Sequence, residues 1–375
     1  MLAEITTSKE IKEIKPYKLS RREKLVLYAL VKWPSCSDVE VSEKIGLKRS
    51  TFTAIKKRLK DKNVYKLKYR LSFKYIDKEI IKCTFFEINP YIDRKLLEEF
   101  SKAVFDSYSG SVYSIITDSV YVGFNFVKNF AKLKKGRFEF EEKWLKKKIF
   151  TKEYPKYINF STRHSRIMFD YAPMLKHIFC IEIDDDEETD SLEKYRIGDR
   201  NPTKAKLNRN ETRAIYYMLL RSEKNDSYLA KQAGMNLQTF KKTKRRVLDR
   251  GIIKPVIIPI HKALENELIV FKHFRFNQVR TFEERFEFLR YMDKKHPHYF
   301  MRIYDENECI FISVYRNYPQ YHKNIKEIEE YVAKNNIASH KPTIAAVPLK
   351  NIMYLKNVVF AGVYRKIFQI DENKI

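Results

Sequence analysis

Glycine and cysteine are both scarce in this chain, 8 and 4 among 375 residues. So little glycine leaves no Gly-rich phosphate loop and no Walker pattern, and no Ser-His-Asp arrangement stands out either. The cysteines, Cys36, Cys83, Cys180 and Cys309, lie far apart and form no Cys-x-x-Cys pair. That spacing excludes a zinc ribbon and a disulfide framework, and predicts reduced, buried thiols. No stretch approaches 18 consecutive apolar residues, and the opening Met-Leu-Ala-Glu-Ile-Thr-Thr lacks the basic and then apolar regions of a signal peptide. The expected location is cytoplasmic. Acidic residues are outnumbered, 48 Asp and Glu against 75 Lys and Arg, and the net charge of +27 creates a field that attracts polyanions.

What is present is a globular composition, 44% apolar and 14% aromatic, in a length sufficient for two or more cores. It also repeats. Shifted by 188 residues without gaps, Leu19, Arg21, Glu23, Tyr28, Asp38 and Gly46 fall on Leu207, Arg209, Glu211, Tyr216, Asp226 and Gly234. Thr51, Phe52, Lys56, Arg58 and Asp61 fall likewise on Thr239, Phe240, Lys244, Arg246 and Asp249, and the register continues through Ile81, Phe86, Asn89 and Glu141. Solenoid repeats run to about 20–50 residues, so each copy of a tandem duplication here is a domain-sized unit.

In each copy the periodicity predicts helix, short helix, Gly turn and third helix. Copy one has Leu19 to Trp33, a short helix capped by Ser37 or Asp38, Gly46, and Arg49 to Asp61 stopped by Asn63. Copy two has Leu207 to Arg221, Tyr228 to Ala233, Gly234, and Leu237 to Asp249 capped by Asn236 and stopped by Gly251. Val64 to Tyr75 alternates apolar and basic residues as an exposed hairpin would, and Ile252 to Ile260 starts a second wing made irregular by Pro255 and Pro259. Together these form a winged helix-turn-helix.

The remainder of each copy reads as β-α-β-β-α-β, a ferredoxin-like sheet with both helices on one face and the partner copy's sheet on the other. The expected fold class is therefore α+β, two tandem copies of winged helix-turn-helix plus ferredoxin-like βαββαβ domain forming a pseudo-twofold intramolecular dimer. The expected domains are 17–78, 79–183, 206–262 and 263–375, with 184–205 as a solvated acidic and polar linker.

The positive charge concentrates on the third helix and its wing. Lys48, Arg49, Lys56, Lys57, Arg58, Lys60, Lys62, Lys66, Lys68 and Arg70 face Asp61 alone, and in copy two Lys241, Lys242, Lys244, Arg245, Arg246, Arg250 and Lys254 face Asp249. With Phe52, Ile55 and Leu59 buried, Arg49, Ser50, Thr53, Ala54 and Lys57 point outward, where a helix in the DNA major groove would read bases. Lys48, Arg49, Ser50, Thr53, Lys56, Lys57, Lys66, Lys68 and Arg70, with Gln238, Lys241, Lys242 and Arg245, are thus the expected contacts to double-stranded DNA. Lys56, Lys66, Lys68 and Arg70 are expected mainly at phosphates.

From Gly46-Leu-Lys-Arg-Ser-Thr-Phe to Val64, and from Gly234-Met-Asn-Leu-Gln-Thr-Phe to Ile252, the sequence resembles the winged helix of prokaryotic and archaeal transcription regulators of the MarR and Lrp/AsnC type. Its combination with a βαββαβ domain is similar to the Lrp/AsnC plan in particular. The resemblance implies a DNA-binding regulator. Members of that family carry one copy per chain, so oligomer size does not carry over, and from its own residues this chain is expected to lack enzymatic activity, metal and cofactor and to work as a monomeric pseudo-dimer or homodimer. The family's Gly-containing effector site is not recognisable here.

Two other functions are a plasmid or virus replication initiator and a non-catalytic factor docking on RNA polymerase or basal transcription factors. His296-Pro297-His298 followed by Tyr315, Tyr318 and Tyr321 is similar to the paired histidines and tyrosine of rolling-circle nucleases, but the proline and the missing acid speak against it. Tyr113, Ile115, Tyr121 and Phe124 could stack on single-stranded bases, although their alternation with Val and Ile favours core packing.

Overall fold

The computed structural model describes residues 5–7, 10, 13–107, 110–151, 154–183, 195 and 205–370. The first half contains β1 (Ile5–Thr7), α1 (Arg21–Lys32), α2 (Asp38–Lys44), α3 (Arg49–Asp61), β2 (Tyr65–Leu71), β3 (Ile80–Glu87) and α4 (Arg94–Ser107). It continues with β4 (Ser111–Ile116), β5 (Val120–Val127), α5 (Phe130–Lys146), β6 (Lys156–Ser161), β7 (Arg166–Phe169) and α6 (Ala172–Phe179). The second half runs α7 (Arg209–Leu220), α8 (Asp226–Gln232), α9 (Leu237–Asp249), β8 (Ile253–Pro259), β9 (Leu268–Arg275) and α10 (Phe282–Lys295). Then follow β10 (Tyr299–Tyr304), β11 (Glu308–Tyr315), α11 (Tyr318–Lys334), β12 (Thr343–Pro348), β13 (Tyr354–Asn357) and α12 (Ala361–Ile367). From α1 and α7 onward the two halves carry the same elements in the same order. The architecture is α+β.

The local signals explain most boundaries. Ser20 and Ser37 close capping boxes with Glu23 and Glu40, Asn208 closes one with Glu211, and Asn236 caps α9. Gly46 and Gly234 both turn with φ of 65°, a left-handed conformation that a side chain would strain. α5 and α11 begin at Phe130 and Tyr318, where Asn129 and Asn317 cap them. Pro319 lies in the first turn of α11, where no N–H is required.

Within each half the sheet takes the order β6-β3-β5-β4 or β12-β9-β11-β10, the antiparallel ferredoxin-like pattern. The fifth strand of each sheet comes from the other half. β13 pairs with β4 through Tyr354–Ile116 and Asn357–Tyr113, while β7 pairs with β10 through Met301–Phe169 and Tyr304–Arg166. Neither exchanged strand is evident from the sequence.

The inner faces of the two sheets share one core. Phe85 and Phe271 stack across it with ring centroids 5.3 Å apart, as the expected face-to-face packing requires. The outer faces carry separate helix-covered clusters, around Phe100 and Trp144 in one half and Phe288 and Phe311 in the other. Tyr113, Tyr121 and Phe124 are buried, so they offer no stacking platform. Cys83 and Cys309 are buried thiols, whereas Cys180 is exposed, against expectation.

The expected wings do not form. β2 instead pairs antiparallel with β8, from Tyr65–Pro259 to Leu71–Ile253, and makes a two-stranded ribbon between the halves. Ile260 N–H donates to the Val64 carbonyl and Ser72 N–H to the Ile252 carbonyl, both at 2.9 Å. These bonds put the hydrogen-bonded register on even-numbered residues of β8. Pro255 and Pro259 therefore occupy positions that need no donor, and the strand stays regular. Of the expected solvated linker, residues 184–194 and 196–204 lie outside the described residues, but Tyr195 is fully buried. Its ring lies 5.4 Å from the Arg302 guanidinium, and its hydroxyl donates to Asp293 at 2.5 Å.

Candidate nucleic acid interface and cavity

α3 and α9 are each fixed from beneath by the same pair of ionic contacts. Glu23, 4% exposed at the start of α1, accepts Arg58 Nε at 2.8 Å and the Tyr17 hydroxyl at 2.8 Å. Glu211, 3% exposed on α7, accepts Arg246 Nε and Arg250 Nη1, each at 2.8 Å. Burial alone would raise both carboxyls, but hydrogen bonds from the cap residues and arginines outweigh it and hold them below the ordinary range. The second contact joins Asp38 to Lys56 at 2.6 Å and Asp226 to Lys244 at 2.8 Å. Phe52 and Phe240 complete each attachment and are fully buried.

Against this inner face, the outer face is open. Lys48, Arg49, Ser50, Thr53 and Lys57 are exposed in the first half, and Gln238, Lys241, Lys242 and Arg245 in the second. Thr53 donates to Asp38 at 3.3 Å, and Arg245 lies 3.8 Å from Asp249. Three residues expected at phosphates are engaged elsewhere. Lys56 is half-buried against Asp38, and Lys68 donates to the Asn357 carbonyl of β13 at 3.1 Å. Arg70 is half-buried, its guanidinium 5.4 Å from the Phe73 ring. Both departures follow from the ribbon, which turns the Lys68 and Arg70 side of β2 toward the sheets. Of the three cations of β2, Lys66 alone is exposed.

Sequence reasoning missed the volume that Arg70 faces. A cavity of about 770 Å³ opens between the end of α1, the ribbon and β7. Lys32, Arg70, Lys74 and Lys254 line it together with Asp170, and Phe73, Phe169 and Tyr171 supply aromatic walls. Its lining combines segments far apart in the chain, so no local motif announces it.

His296 and His298 enter a buried polar cluster instead of a metal site. His296 Nδ1 meets Asn324 Nδ2 at 2.5 Å, His298 stacks on Tyr315 at 4.9 Å, and His177 lies 4.4 Å from His298. Lys272, fully buried, donates to the Tyr315 hydroxyl at 2.9 Å, and Tyr315 donates to Asn324 Oδ1 at 2.5 Å. Burial brings Lys272 down to about 7 and His296 to about 4, the histidine also feeling the Lys272 charge. Tyr318 stays exposed, and no group of three His, Cys, Asp or Glu among the described residues could hold a metal ion. No helix among them is long and apolar enough to cross a membrane.

No family model matches the chain, and no curated protein does. Among solved structures, the siroheme decarboxylase NirDL resembles it at 9% identity and a TM-score of 0.49, over 92% of this chain and 98% of that one. An AsnC family transcriptional regulator from Agrobacterium tumefaciens resembles 38% of this chain over 90% of its own, at 15% identity and a TM-score of 0.31. A member of the AsnC family from Pyrococcus furiosus does so over 38% and 89%, at 16% identity and a TM-score of 0.29. The expectation of a chain without enzymatic activity is corrected here, because a solved structure matched over 92% of this chain is that of an enzyme.

Proposed function

We propose that the two halves are tandem copies of one unit and that α3 and α9 bind double-stranded DNA as a regulator does, reading one asymmetric composite site. The observation that supports this is the outward faces of the two helices. Both are exposed and basic and rest on matching Glu–Arg and Asp–Lys attachments, yet they share no outward residue. Arg49, Ser50, Thr53, Ala54 and Lys57 correspond to Leu237, Gln238, Lys241, Lys242 and Arg245. A homodimer imposes a symmetric operator because its halves are identical, whereas unlike faces select unlike half-sites. In this assignment Arg49, Ser50 and Lys57 meet base edges, Lys48 and Lys66 meet phosphates, and Lys241, Lys242 and Arg245 give α9 the larger phosphate share. DNA binding on these helices is separate from any chemistry at the cavity.

The test is a salt titration of the intact chain on duplex DNA. With about four phosphates neutralised per helix, log K should fall against log salt with a slope of about −7. Arg49→Ala should cost about 1–3 kcal/mol and relax one position of the selected site. A slope near zero, or an unchanged site preference in Arg49→Ala, contradicts the proposal.

A further inference from the structure

The ribbon cavity sets four cations against a single acid. Lys32, Arg70, Lys74 and Lys254 line it, and Asp170 is the only acidic side chain in the lining. At about 770 Å³ it falls within the 300–1,000 Å³ typical of small-molecule sites. A second observation concerns its inner end. Arg70, Phe73, Ile167 and Phe169 also line a narrow apolar gap of about 30 Å³ between the two sheets, bounded further by Phe124 and Met301 and too small to admit a ring. Arg70 thus stands where a charged space meets an apolar one.

The shared fold does not dictate this lining. At the positions 188 residues on, Lys32, Arg70 and Phe73 are replaced by Leu220, Ile258 and His261. Lys74 and Lys254 keep lysine counterparts in Lys262 and Lys66, so Lys32 and Arg70 are the cations particular to this side of the pseudo-twofold.

We infer that this cavity is a binding site for an organic polyanion with an apolar ring body, its acid groups held by Arg70 and the lysines and its body lying within the cavity against Phe73, Phe169 and Tyr171. Arg70 supplies the orienting contact, because a guanidinium presents several donors in a fixed plane and suits carboxylate or phosphate oxygens. The three lysines add charge without fixed geometry. The site is independent of DNA binding by α3 and α9, since none of its lining residues belongs to either helix.

Pyrene-1,3,6,8-tetrasulfonate serves as the probe, titrated into the intact chain at about 150 mM salt and followed by its fluorescence. Saturable 1:1 binding is expected, with citrate and 1-pyrenemethanol competing at least about tenfold more weakly because each lacks one half of the required chemistry. Arg70→Gln should weaken the probe by about tenfold or more, while Lys262→Gln, the counterpart of Lys74, and Lys241→Gln on α9 should change it less than about twofold. Asp170→Asn should tighten binding, a gain that a misfolded variant cannot produce. Its side-chain oxygen would still accept the Ala172 N–H that Asp170 accepts at 2.8 Å. Equal weakening by all three cation changes means nonspecific attraction to a basic protein and overturns the site. Unchanged binding in Arg70→Gln and Asp170→Asn overturns it as well.

Discussion

The buried histidines give the chain a pH response whose sign can be worked out residue by residue. His261, fully buried among Tyr171 and Phe300 with neither ring nitrogen bonded, is held down to about 4 by burial, and His298 to about 3 by burial and by His177 and Lys272. As pH falls from the ordinary 6.5 toward 4, the unfolded chain takes up protons that the folded chain refuses, so stability is lost across that window. One such histidine accounts for on the order of 3 kcal/mol over the full window. Lys272 acts in the same direction at higher pH, adding stability as pH rises from about 7 toward 10.5. Urea midpoints should therefore increase from pH 5 to pH 7 to pH 8.5, and His261→Phe should flatten the acid limb; a midpoint independent of pH contradicts these assignments. At the same scale, the residues the two halves share encode matching attachments. Glu23, Arg58, Asp38 and Lys56 recur at Glu211, Arg246, Asp226 and Lys244, and each set forms the same two ion pairs. These basic residues were legible as members of a charged helix, but their sequence gave no sign that two of them face inward.

Among the elements, the ribbon departs furthest from what local pattern suggests. Alternation over β2 indicates a strand correctly, yet a strand's partner is not a local property, and here it lies in the other half of the chain. The helices were easier to read, since caps, turns and periodicity all act within a few residues. β7 and β13 span four residues each, too short for alternation to register. The register of β8 can be tested with proline. Val256 falls on the bonded parity, so Val256→Pro should cost about 1–3 kcal/mol through a lost ladder bond, while Pro255→Ala should be close to neutral. Equal effects from both changes, measured by urea denaturation, would show that the register is wrong.

At the scale of the whole molecule, the halves are not independent bodies. Each sheet takes its fifth strand from the other half, the inner faces share one core, and the ribbon contains one strand of each. Residues 1–188 alone keep β7 but lack β13, β8 and the facing sheet. Expressed by itself this half should self-associate and bury its inner face against a second copy, as size-exclusion chromatography with light scattering would show. A stable monomer would contradict the shared core. The feature also has a consequence during synthesis. At about 5–20 residues per second, the second half follows the first from the ribosome by roughly 10 to 40 s. Throughout that delay Phe85, Phe124 and their neighbours face water and the edge of β4 has no strand beside it. The nascent first half is then a sticky open sheet, and its yield in the cell depends on the pace of translation and on the chaperones that shield it until β13 arrives.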